Sequence, residues 1–126
     1  MNTNDPIDPI DRLKDAINSH DPRQVADCFT TTYRSETPHR PQDGFTGNDR
    51  VLMNWTAIFG RLPDIRAEVL RRATGGDELW SEWEMVGTAP DGTRAVMRGP
   101  VIMTTRDGRI DWTRFYLSPV AGNADR

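Results

Sequence analysis

The chain has 126 residues, 28% of them charged and 36% hydrophobic, with four Trp and four Phe. That suits one domain with a packed core and is too apolar for a disordered chain. A net charge of −3, with sixteen basic residues scattered among nineteen acids, excludes the clustered cationic face that nucleic-acid backbones require, and a mean hydropathy of −0.68 leaves no membrane-spanning helix.

Residues 1–8 are polar and acidic, without a basic start or an apolar stretch. They read as a flexible end with no secretory leader, and a cytoplasmic location is expected. Asp8-Pro9 has the form of an N-cap followed by proline at the first helical position. Ile10, Leu13 and Ile17 follow at helical spacing, and the helix ends by His20. Asp21-Pro22 repeats the start signal for a short second helix carrying Val25, Ala26 and Phe29. Thr30–Arg34 is β-branched and predicts a short strand, and 36–47 reads as a loop. Asn48 or Asp49 caps a third helix whose Val51, Trp55, Ile58 and Phe59 share one face, and Leu62-Pro63-Asp64 stops it.

Strands are predicted over 65–71, 79–86, 94–104 and 109–117, joined by turns at Gly75-Gly76, Asp91-Gly92 and Asp107-Gly108. Helices first and a meander second predict an α+β fold, with three N-terminal helices on one face of a curved antiparallel sheet. Residues 9–119 form the single domain, and 120–126 a second flexible end. One cysteine, Cys28, and two distant histidines give no disulfide and no metal-ligand spacing, so neither a metal nor a cofactor is expected. Gly75-Gly76 precedes no helix, so it is not a phosphate loop.

Within this pattern stand Phe45 and Gly47, then Phe59, Pro63 and Asp64. Gly76-Asp77, Trp80, Glu82 and Gly87 follow, then Asp107-Gly108-Arg109-Ile110 with Arg114 and Tyr116 in the last strand. In this order, over roughly residues 10–119, the motifs resemble the SnoaL-like branch of the nuclear transport factor 2-like superfamily. The resemblance implies a cone-shaped sheet closed over a pocket by helices, and a homodimer paired through the sheets. Relatives include ketosteroid isomerase, limonene-1,2-epoxide hydrolase, polyketide cyclases and non-catalytic binding proteins, so the fold leaves the function open.

The same resemblance locates candidate site residues. The isomerase's catalytic base falls on Thr37, its oxyanion-binding Asp near Val101 and its Tyr near Leu13, so that chemistry is absent. The epoxide hydrolase's Arg falls on Glu82, and its two Asp on Glu84 and Phe115. Glu82 and Glu84 share a face of their strand. Facing an apolar pocket, they would be a raised-pKa pair able to move a proton. Alternation of Leu79, Trp83 and Met85 supports the opposite placement, with both Glu solvated beside Arg98 or Arg114. Glu82 and Glu84 are therefore the catalytic candidates. Thr37, His39, Trp55, Phe59, Met97, Val101, Asp111, Thr113 and Phe115 are the ligand-binding ones, suited to a small apolar molecule. Two functions stay open: a cofactor-independent cyclase, isomerase or hydrolase using Glu82 as acid or base, or a binding protein with the same pocket.

Overall fold

The computed structural model describes residues 8–120. Helix α1 (Pro9–Ser19) starts where the sequence predicts: the Asp8 carboxylate accepts from the Ile10 amide at 2.7 Å. It ends at His20, whose left-handed backbone (φ 62°) reverses the chain and whose ring Nε2 lies 2.7 Å from the Ile65 carbonyl oxygen. Asp21 caps α2 (Pro22–Ala26) in the same way, accepting from the Arg23 amide at 2.9 Å. Of the two ends expected to be flexible, Asp8 forms the α1 cap and Val120 donates its amide to the Val96 carbonyl at 2.9 Å. The rest of both ends lies outside the described residues.

Strand β1 (Phe29–Glu36) extends past the predicted segment, and the loop after it holds a 3-10 turn (Pro41–Asp43) and the short β2 (Phe45–Thr46). Helix α3 (Asn48–Arg61) is entered through Gly47 and not through an Asn48 or Asp49 cap. Gly47 has φ 98°, and a Cβ there would stand 2.6 Å from the Asp49 carboxylate, so glycine is required. Asn48 instead donates to the Phe29 carbonyl at 3.3 Å, tying the helix start to β1.

Strands β3 (Arg66–Gly75), β4 (Glu78–Thr88), β5 (Arg94–Arg106) and β6 (Arg109–Phe115) form the antiparallel meander, and β7 (Ser118–Pro119) pairs with β5. The sheet is curved and unclosed, in the order β2-β1-β6-β5-β4-β3. β1 runs parallel to β6, so the sheet is mixed and not wholly antiparallel. The tight turns fix the direction of β6 only relative to β3, whereas β1 reaches the meander through α3, a connection long enough for parallel pairing.

The core lies between the helices and the concave face of the sheet. α1 contributes Ile10, Leu13 and Ile17, and the strands contribute Tyr33, Trp83, Val101, Met103 and Ile110, all buried. Asn18 fastens α1 to β3: its side chain accepts from the Ala67 amide at 2.7 Å and donates to the Ala67 carbonyl at 3.0 Å, satisfying edge groups that would otherwise be unpaired. Among the described residues no helix is long and apolar enough to cross a membrane.

Candidate functional site

The orientation of β4 decides what faces the concave side. Ser81, Trp83 and Met85 point inward and are buried. Trp83 is 1% exposed, and its indole N–H donates to the Ser81 hydroxyl at 2.8 Å. Burying an indole stabilises by on the order of 4 kcal/mol, while burying an ionised carboxylate without a partner is unfavourable by several. With side chains alternating along the strand, Trp83 inward puts Glu82 and Glu84 outward. On the convex face Glu82 meets Arg71 at 3.0 Å and Glu84 meets Arg98, directly across the strand pair, at 2.6 Å. The expectation that Glu82 lines the pocket is thereby corrected.

A cavity of ≈ 280 Å³ opens between α3 and the concave face. Its apolar wall comes from Phe29 and Phe45, from Val51, Trp55 and Ile58 of α3, and from Met85, Met97, Phe115 and Leu117 of the sheet side. Its polar lining is a stripe on β1 and the residue after it, Tyr33, Ser35 and Thr37, spaced two apart and so on one face. Asn54, Arg40 and Arg61 complete it. The Tyr33 hydroxyl lies 2.6 Å from the buried Thr113 hydroxyl. Burial pushes the Tyr33 phenol up to about 12, against the pull of its hydrogen bonds with Ser35 and Thr113, so it is a neutral hydroxyl at physiological pH. No carboxylate, histidine or cysteine is among the described residues that line the cavity.

Of the ligand-binding candidates, Thr37, Trp55, Met97 and Phe115 line this cavity. Thr113 lies behind it, fully buried, and positions Tyr33. Val101 is core, across the strand pair from Ser81 and Phe115. Phe59 turns from the cavity toward His20, with ring centroids 5.6 Å apart, and braces Trp55 at 5.4 Å. His39 is exposed, meets the Ser118 hydroxyl at 3.0 Å and stacks on Tyr116. Asp111 is turned away by a β-bulge: pairing shifts between Thr104 and Thr105, Ile110 takes the inward place, and Asp111 accepts from the Thr104 hydroxyl. Sequence reading missed Tyr33, Ser35, Asn54, Arg40 and Arg61. The alternation Tyr33-x-Ser35-x-Thr37 was the available signal for the first two, had β1 been carried past Arg34.

The model for the SnoaL-like domain matches residues 10–112. The chain belongs to the SnoaL-like domain family. None of the curated proteins matches it in sequence. Solved structures share the fold of this SnoaL-like chain at low identity. A hypothetical protein with a ketosteroid isomerase-like fold from Catenulispora acidiphila, in complex with trimethylamine, is 13% identical with a TM-score of 0.76, over 89% of this chain and 87% of that one. An epoxide hydrolase of the LEH-like type from M. tuberculosis is 16% identical with a TM-score of 0.73, over 87% and 80%. An NTF2-like protein of unknown function from Exiguobacterium sp. 255-15 is 19% identical with a TM-score of 0.72, over 91% and 100%. At such identities the likeness is one of fold, and fold alone does not fix function.

Proposed function

We propose that this SnoaL-like chain binds a small, mainly apolar molecule in the cavity under α3, without acid–base chemistry from Glu82 or Glu84. One observation carries the reading: the cavity wall is aromatic and aliphatic with a few convergent hydroxyl, amide and guanidinium groups, while both glutamates sit on the other face in ion pairs. The enzyme reading required a carboxylate in the cavity, and the lining offers only a neutral phenol with no base to pair it. An amine, such as the trimethylamine held by the Catenulispora protein, would meet two guanidinium groups here, so it is not the ligand class proposed. A volume of ≈ 280 Å³ suits a one- or two-ring molecule.

Titration with naphthalene carboxamide, followed by protein fluorescence, tests this. Saturable binding is expected, abolished by Met97→Trp, which fills the cavity. Absence of saturable binding, or binding unaffected by Met97→Trp, would contradict the reading. We also propose that the convex face pairs with a second copy of the chain. Trp80 is 43% exposed there, in a shallow depression shared with Ala73 and Pro100 and rimmed by Arg71, Arg72 and Glu82, and pairing would cover its apolar part.

A further inference from the structure

Resting on the binding reading above, the chemistry of the lining says more about the ligand. Each ionisable side chain at the cavity is a cation or a neutral phenol: Arg40, Arg61 and Tyr33. The other polar groups, Ser35, Thr37 and Asn54, are all able to donate hydrogen bonds. Arg40 is already engaged by Asp43 at 3.4 Å. Arg61 has no ion-pair partner among the described residues, and it sits in the last turn of α3, with one side on the cavity and the other on the open groove beyond Leu62 and Met97. The carbonyl end of α3 favours a cation at that place but engages it only weakly when exposed. A chain of net charge −3 thus puts an uncommitted guanidinium at the mouth of an apolar cavity.

We infer that the ligand is an amphipathic anion, an apolar one- or two-ring body in the cavity with a carboxylate at the mouth held by Arg61. Guanidinium and carboxylate match as two parallel donors and two acceptors. The exposed site keeps the gain modest, because water competes for both partners.

The test compares naphthoate with its uncharged isostere, naphthalene carboxamide, by titration calorimetry at low salt. The unsubstituted protein is expected to bind the carboxylate about three- to fivefold more tightly. Arg61→Gln should bring the ratio near one, and Arg61→Lys should keep only part of the preference, as a point charge without the two-donor match. Equal affinity for the two probes, or a preference that Arg61→Gln leaves intact, would overturn the anion assignment while the apolar cavity reading stands. Binding of neither probe would overturn both.

Discussion

Trp83 and Glu82, adjacent in the chain, place one another. Trp83 inward satisfies a large apolar surface and an indole N–H together, and Glu82 outward keeps its charge 41% exposed beside Arg71. Glu82→Gln is therefore expected to change stability by less than about 0.5 kcal/mol in urea unfolding, and to leave naphthalene carboxamide binding unchanged. Trp83→Ala should lose about 3–5 kcal/mol. A large loss from Glu82→Gln would put the carboxylate in a buried role. Tyr33 gives a second test. Its phenol is pushed up to about 12 and the Cys28 thiol up to about 11, both chiefly by burial, from 10.0 and 9.0. Both are held neutral in the fold, so their contribution is whole below the unfolded values. It is lost as the pH climbs from about 9 through 12 and the unfolded chain ionises first. Urea stability should decline over that range. Tyr33→Phe should flatten the upper part while lowering stability near neutrality by about 1–2 kcal/mol, through the Thr113 hydroxyl left without its partner. An unchanged alkaline profile in Tyr33→Phe would contradict this. At this scale the sequence was least legible. Alternation along β4 favoured Trp83 inward, whereas alignment to a relative favoured Glu82, and a shift of one residue reverses a strand's faces. Physical patterning was the better guide.

Secondary structure was more legible because its signals are local. Asp8-Pro9 and Asp21-Pro22 start α1 and α2 through side-chain caps, and the turns at Gly76, Gly92 and Gly108 all have positive φ. Asp21→Ala should lower stability by about 1 kcal/mol in the same unfolding assay, and an unchanged midpoint would show that the cap is dispensable. Non-local geometry was not legible. The parallel pairing of β1 with β6, the bulge that turns Asp111 outward, and the approach of β5 to the chain after β6 depend on contacts between distant segments. Gly99 marks that approach: it has φ 150°, and a Cβ there would run into the Tyr116 carbonyl. Nothing around Gly99 in the sequence announces it. The length of β1 matters most for the site, because its extension to Glu36 brings Ser35 and Thr37 under α3 with Tyr33.

Across the whole molecule the sheet separates two surfaces. The concave one holds the cavity, and the convex one carries Trp80 among ion pairs joining Arg71 with Glu82, Arg98 with Glu84 and Arg114 with Glu36. If a second copy covers the convex face, light scattering at micromolar concentration should give twice the chain mass, and Trp80→Asp should halve it. A monomer in both would contradict the pairing. The central claim is that ligand enters the concave cavity, and the methionines report on it most directly. Met85 and Met97 line the cavity, Met53 is exposed on α3, and Met103 is fully buried without lining it. In methyl-labelled methionine NMR, added naphthoate should shift Met85 and Met97 together, saturably, while Met53 and Met103 stay within the scatter of a salt control. Shifts confined to Met53 or Met103, or saturable binding that leaves Met85 and Met97 unmoved, would contradict the account.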